Sequence, residues 1–291
     1  MSAVIIQGEK LAFALERIWG WPTKLARRAF ANFGDVHIVP PERVPPLASL
    51  TIWQAVDPHG DRNWFMTWTG VDAEGRKWTF AEWPDETMGE WALPGSRQLG
   101  GKPAMDGKEG PAQTMGGGKA FDDYKRLILE IEGWEPNGEG VWAPGPEAWK
   151  IHDRLMDPRP AGTTVPSAIE GRTYLDYMSD AVVNARGQTV VPGLDFRAGR
   201  TCGVAEAKGF VNNWINDGWD PQAEVTPMNM PQWFVSAACP NTIWALRMWT
   251  GADGDKGACK DPIDNLKSLS IEDIHYVAPG AIGTQVGPGG Y

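Results

Sequence analysis

Leu50-Thr51-Ile52-Trp53-Gln54-Ala55-Val56-Asp57-Pro58 is the stretch on which the reading of the fold turns. It is a run of β-branched, aromatic and aliphatic residues, the composition that suits a pleated, packed surface. It stops at Asp57-Pro58, a dipeptide that marks a turn. Two further runs of the same character follow, Trp64-Phe65-Met66-Thr67-Trp68-Thr69 and Lys77-Trp78-Thr79-Phe80-Ala81-Glu82-Trp83. Asp72-Ala73-Glu74-Gly75 supplies the turn between them. The three together predict a β-meander.

Downstream the pattern alternates. Phe121, Tyr124, Leu127, Ile128 and Ile131 share one face of a helix expected over 119–133. Ile151-His152-Asp153-Arg154-Leu155-Met156-Asp157-Pro158 is a second strand that ends in an aspartate. A helix at 172–184, a strand near 188–191, a helix at 203–217, a strand at 232–237 and helices at 241–250 and 262–270 complete the reading. A meander followed by alternating strands and helices implies an α/β fold, a mixed sheet with helices packed on its faces. The Gly/Pro-rich stretches 94–118 and 134–147 are expected to be loops.

Upstream, residues 9–32 read as helical from Leu11, Leu15, Ile18 and Trp19, although Phe13 lies off that stripe and Gly20-Trp21-Pro22 interrupts it. Pro40-Pro41-Glu42-Arg43-Val44-Pro45-Pro46 suits a semi-rigid connector. These features divide the chain into a helical segment and linker at 1–46, a main domain at 47–277 and a Gly-rich tail at 278–291. No internal repeat is present.

With 291 residues, 42% hydrophobic and 22% charged, the chain has the composition of a globular protein with a sizeable core. No apolar run reaches the roughly 20 residues of a membrane span, and no secretory signal opens the sequence. Cys202, Cys239 and Cys259 are odd in number and widely spaced, which argues against a disulfide framework or a thiolate zinc site. The net charge of −10 runs against the basic balance usual in nucleic-acid binders. A site of clustered carboxylates that takes up divalent cations is, however, acidic before the metal arrives. Sixteen tryptophans suit either core packing or an aromatic platform, and their alternation within strands favours the core.

The carboxylates carry the chemistry. Asp57 and Asp157 each end a strand, and on neighbouring strands they would face one point. Lys260-Asp261-Pro262-Ile263-Asp264 adds acids at the start of the last helix. Mg²⁺ takes oxygen ligands, and a two-ion site that hydrolyses a phosphodiester needs about three carboxylates from separate elements. The same residues read equally as turn starters and helix caps.

Several segments resemble the nuclease domain of the bacteriophage terminase large subunit. They are Ala55-Val56-Asp57-Pro58-His59-Gly60-Asp61-Arg62-Asn63 with Trp68 and Phe80-Ala81-Glu82-Trp83-Pro84, then Arg154-Leu155-Met156-Asp157-Pro158-Arg159 with Gly171-Arg172-Thr173-Tyr174-Leu175. Cys239-Pro240-Asn241-Thr242-Ile243-Trp244-Ala245-Leu246 and Lys260-Asp261-Pro262-Ile263-Asp264-Asn265-Leu266 close the series. The resemblance rests on the order and spacing of these segments across roughly residues 10–277.

It implies a ribonuclease H-like mixed sheet with helices on both faces. It further implies two Mg²⁺ or Mn²⁺ ions and cleavage of concatemeric double-stranded viral DNA in the cytoplasm of an infected bacterium. Asp57 would bridge both ions, Asp157 bind one and Asp261 the other, with Asp264 and Asp61 as further ligands or water positioners. Arg62, Arg154, Arg159, Arg172, Lys256, Lys260 and Lys267 flank the proposed site in sequence, as phosphate contacts or equally as solvated charges; Arg62, Arg159, Arg172 and Lys260 are the expected DNA contacts. An ATPase domain, the portal and the small terminase subunit are the implied partners; no membrane is.

Two departures matter. Lys260 stands where many members carry an acid or a histidine. No Gly-x-x-x-x-Gly-Lys-[Ser/Thr] occurs, and Gly116-Gly117-Gly118-Lys119-Ala120 lacks both its spacing and its hydroxyl. On the resemblance, the chain begins at the last helices of the ATPase domain.

Two other functions compete. One is a non-catalytic docking module of a packaging motor that contacts the portal or another component. The other is a carbohydrate platform with Glu82 and Glu90 as a carboxylate pair. His59 is either a turn residue or a positioner of water or phosphate, and scattered His37, His152 and His275 do not suggest zinc.

Overall fold

The computed structural model describes residues 28–58, 64–85, 120–163, 171–200, 202–249 and 260–278. The strands are β1 Ile38–Val39, β2 Thr51–Asp57, β3 Phe65–Val71, β4 Lys77–Trp83, β5 Trp134–Pro136, β6 Trp142–Pro144, β7 Ile151–Met156, β8 Val182–Val183, β9 Thr189–Val191, β10 Phe196–Ala198 and β11 Trp233–Ser236. The helices are α1 Phe121–Ile131, α2 Pro158–Ala161, α3 Tyr174–Ser179, α4 Val204–Asn216, α5 Pro240–Met248 and α6 Lys260–Ile271.

Seven of the strands form one sheet in the order β1-β11-β4-β3-β2-β7-β10. The meander β2-β3-β4 is antiparallel, while β7 pairs parallel to β2, β10 to β7, and β11 to β4. Asp72 makes the tight turn before β4: its carboxylate accepts from the backbone N–H of Glu74 and Arg76, and from Trp78 Nε1 at 2.9 Å. Gly75 at φ 81° supplies the left-handed step that the turn needs.

Side chains alternate across the sheet, and both faces are covered. Trp53, Ala55, Leu155, Trp233 and Val235 pack with Val211, Trp214 and Ile215 of α4, Ala245 and Leu246 of α5, and Ile263, Leu266 and Leu269 of α6. Ile52, Val56, Met66, Trp68, Phe80 and Met156 face the other way, onto Tyr124, Ile128 and Leu129 of α1. This is the expected α/β class, a mixed sheet with helices packed on both faces. Tryptophan serves as core on both sides: Trp64, Trp68, Trp83 and Trp233 are fully buried. Trp64 also stacks on Tyr124 at 4.2 Å, and its backbone N–H donates to the Tyr124 hydroxyl.

Several expectations change. The segment before residue 46 is part of the sheet: Ile38-Val39 pairs with β11, and Phe30, Phe33 and His37 are buried. The 134–147 loop contains the β5-β6 hairpin. The helix expected at 172–184 is only α3. Thr173 and Asp176 form a capping box at its start, and Val182-Val183 then pairs with β9 instead of continuing the helix. Most of the helix expected at 9–32, the loop at 94–118, and nearly all of the tail lie outside the described residues. No helix among the described residues is long and apolar enough to cross a membrane.

Candidate metal centre

Parallel pairing of β2 and β7 places Val56 opposite Met156, so the next residue of each strand, Asp57 and Asp157, leaves the sheet at the same edge. The Asp157 backbone N–H donates to Val56 O at 3.0 Å, which fixes that register at its last step. Asp57 is half-buried by surface area. Its carboxyl is nevertheless held well above the usual carboxylate range. Burial is the largest cause, followed by the charges of Asp261, Asp264 and Asp157, with Lys260 opposing them. Like charges crowded in a poorly solvated place disfavour ionisation in this way.

Asp261 and Asp264 arrive from the first turns of α6, and both are buried. What docks that helix is Asn265, a residue the sequence analysis did not single out as functional. Its Nδ2 donates to Ala55 O at 3.1 Å, Phe65 O at 3.0 Å and Thr67 Oγ1 at 3.3 Å. One buried amide therefore pins α6 across β2 and β3, beside the end of β2 that carries Asp57. Replacing Asn265 by Ala should destabilise the chain by about 1–3 kcal/mol, because buried acceptors lose their donor. Urea unfolding measures it, and a loss below about 0.5 kcal/mol would contradict the anchoring role.

The expected residues fall into three groups. The charges of Asp157, Asp261 and Asp264 all act on the Asp57 carboxyl, although no three of these acids stand close enough to share an ion. Asp61, Arg62 and His59 lie outside the described residues. The basic candidates divide further. Lys260 joins the acids, donating to Asp264 Oδ2 at 2.6 Å. Arg159 is exposed just beyond Asp157. Arg172 is turned to its own neighbourhood, paired with Asp180 and lying 4.4 Å over the Tyr177 ring.

Arg154, expected to flank the site, instead faces the interior. It is bound to Glu132 through two bonds of 2.6 Å and to Gln54. Arg200 went unnoticed in the sequence. It lies 72% exposed just past β10, whose end is tied to β7 by Gly199 N–H to Met156 O. Its guanidinium lies 3.5 Å from Glu272, and its backbone N–H donates to the same carboxylate at 2.8 Å.

The donor chemistry fits a hard cation, since all four acids offer carboxylate oxygens. Two details pull the other way. Asp157 also caps α2, accepting from the Arg159 backbone N–H at 2.8 Å. Among the described residues no group of three His, Cys, Asp or Glu stands close enough to hold an ion as it is. Uptake of an ion would have to draw the acids inward.

Glu82, considered above as a sugar-binding acid, is buried at the start of α5, where it accepts from the Asn241 and Thr242 backbone N–H groups at 2.8 and 2.9 Å. Burial raises its carboxyl from 4.5 to about 7, against the pull of those hydrogen bonds. Glu90 lies outside the described residues. A raised folded value means that the native state keeps a proton which the unfolded chain has released. That stabilisation is full below pH 4.5 and is lost as pH rises through 7. Stability should therefore fall between about pH 5 and 8 by on the order of 3 kcal/mol, and Glu82→Gln should flatten the curve. Parallel pH–stability curves for the two proteins would refute this.

No family model matches the chain, and no curated protein matches it. Among solved structures it is similar to the large terminase of a thermophilic bacteriophage, seen in two crystal forms. The first is 10% identical with a TM-score of 0.47, covering 84% of this chain and 44% of that one. The second is 11% identical with a TM-score of 0.40, covering 75% and 36%. The chain thus spans less than half the length of the proteins it resembles.

Proposed function

We propose that the chain is a divalent-metal-dependent DNA endonuclease, a hydrolase that cuts viral DNA for a bacteriophage packaging motor in the host cytoplasm. The observation that supports the reading is that the β2-β7 register brings Asp57 and Asp157 out at one edge of the sheet, where the charges of Asp261, Asp264 and Asp157 all act on the Asp57 carboxyl. Acids so placed oppose one another, and the arrangement costs stability unless a cation offsets it. Asp57, Asp157 and Asp261 would hold two Mg²⁺ or Mn²⁺ ions. Once bound, the ions would supply Lewis-acid polarisation of a phosphodiester. The chain's own part is to present these carboxylates from three elements, which the β2-β7 register and Asn265 hold side by side. Lys260 and Arg159, with Asp61 and Arg62, are the further residues assigned to ion or DNA. Double-stranded DNA is the substrate on this reading. The ATPase domain, the portal and the small terminase subunit are the partners.

Plasmid DNA incubated with the purified chain in Mn²⁺ or Mg²⁺ should be nicked and linearised, and EDTA should stop it. Intact plasmid in both metals would defeat the proposal. The absence of a preformed three-acid group among the described residues favours the second reading, a docking module without catalysis. The same assay separates the two.

A further inference from the structure

Six of the seven strands of the main sheet run the same way. β7 is parallel to β2, β10 to β7, β11 to β4 and β1 to β11, while β2 and β4 are both antiparallel to β3. The C-terminal ends of these six therefore share one edge, the place where open α/β sheets receive ligands. Asp57 and Asp157 leave the sheet there. So does the segment after β10, because Ala198 lies opposite Met156 in the parallel register.

An exposed arginine follows each of the last two strands. Arg159 comes just after Asp157. Arg200 comes just after β10, with its side chain 72% exposed. The backbone beneath both is fixed. The Arg159 N–H donates to Asp157 Oδ1 at 2.8 Å, and the Arg200 N–H donates to Glu272 Oε1 at 2.8 Å. Between them the Gly199 N–H donates to Met156 O at 2.9 Å and ties the two strand ends together.

Their guanidinium groups are less committed than most. Arg76, Arg126, Arg172, Arg197 and Arg247 each donate from a terminal nitrogen to a carboxylate. Among the described residues, the Arg159 and Arg200 side chains make no such bond. The nearest acid to Arg200 is Glu272, 3.5 Å from Nε. That is longer than a charge-assisted hydrogen bond. The Glu272 carboxylate is already taken by the terminal nitrogen of Arg197 at 3.0 Å. A planar fork with open donors matches the oxygens of a phosphate. The acids of this edge repel a phosphate, so a strand of nucleic acid can settle there only where cations accompany them. In a chain of net charge −10 those cations must be local.

We propose that Arg200, together with Arg159, holds the phosphodiester backbone of DNA along the C-terminal ends of β7 and β10. This rests on the DNA reading above but not on a bound metal ion. It adds Arg200 to the contacts expected from the sequence. It removes Arg172 from them, since that guanidinium is engaged by Asp180 and the Tyr177 ring.

The test is fluorescence anisotropy of a labelled DNA duplex with the full chain in EDTA, repeated across a series of salt concentrations. The parent protein is compared with Arg200→Ala, Arg200→Lys and Arg186→Ala. Arg186 is an exposed arginine in the turn between β8 and β9, outside the main sheet, and serves as the control for lost charge. Alanine at 200 keeps the backbone N–H that Glu272 accepts, so the fold should be retained, which melting curves check. Arg200→Ala should weaken binding roughly threefold or more at low salt and lower the slope of log affinity against log salt by about 1. Arg200→Lys should keep the slope and recover only part of the affinity, because lysine restores the charge without the fork. Arg186→Ala should bind as the parent does. Arg200→Ala that binds like the parent, or no more weakly than Arg186→Ala, would overturn the proposal while leaving the DNA reading standing. A parent chain that does not bind the duplex would remove the DNA reading and this proposal with it.

Discussion

Replacing Asp57 by Asn should reduce metal-dependent DNA cleavage to background while leaving the metal-free protein as stable as its parent, or more so. Asn keeps the size and one oxygen of the carboxylate but removes the charge that must offset a dication. The loss of activity is therefore expected to be nearly complete. The stability change has the opposite sign because the carboxyl is costly in the folded state. Burial raises it first, and Asp261, Asp264 and Asp157 add to the effect. An aspartate that served only as a turn or cap would lose at most about 1 kcal/mol on substitution and would not affect cleavage. Activity assays and metal-free melting on the same preparation separate the two cases. Undiminished cleavage by Asp57→Asn would show that the assignment of this site is wrong.

The second large effect lies in the scaffold. Gly133, at φ 81°, ends α1 in a left-handed step and leaves Glu132 at its C-terminus, fully buried. There Glu132 accepts from Trp68 Nε1 at 2.9 Å and from both terminal nitrogens of Arg154 at 2.6 Å. One carboxylate thus ties α1 to β3 and to β7, the strand that carries Asp157. Glu132→Ala would leave the Arg154 guanidinium in the interior with Gln54 as its remaining named partner. A broken buried pair of this kind costs about 3–5 kcal/mol. In a chain of this size the melting temperature should fall by roughly 10 °C. Exchanging both partners for apolar residues, Glu132→Leu with Arg154→Met, should recover most of that loss, since the pair as a whole is worth little against good packing. A Glu132→Ala protein within about 1 kcal/mol of the parent would contradict the account.

These two residues also mark what the sequence could and could not convey. Asp57 was legible because a strongly β-forming run ends on it, and Asp157 because a second run ends the same way. Their meeting required only that the two strands be neighbours, which they are. Arg154 was misplaced because nearness to Asp157 in sequence says nothing about which face of a strand a residue takes. Leu155 packs with α6 and Met156 with α1, and Arg154 shares the Met156 side. Glu132 was missed because an acid at a helix end, before a glycine, ordinarily faces water. Asn265 was missed for a similar reason: only the carbonyls of Ala55 and Phe65, some 200 residues away, reveal that it is an anchor.

The short strands escaped notice too. Ile38-Val39 and Phe196–Ala198 have too few residues to show any period, and neighbours distant in sequence define them. Lys260 was legible as a departure from the family pattern. Its partner Asp264 was legible only as an acid, and the lysine on each of its oxygens appears only with the fold.

The central claim is that Asp57, Asp157 and Asp261 hold a divalent ion. Anomalous diffraction from crystals grown with Mn²⁺ tests it most directly. The account predicts a manganese peak within coordinating distance of the Asp57 carboxylate, shared with Asp157 or Asp261 and absent from Asp57→Asn crystals. Ordered density for all three aspartates with no manganese among them, under conditions where the ion is bound elsewhere or free in excess, would contradict it.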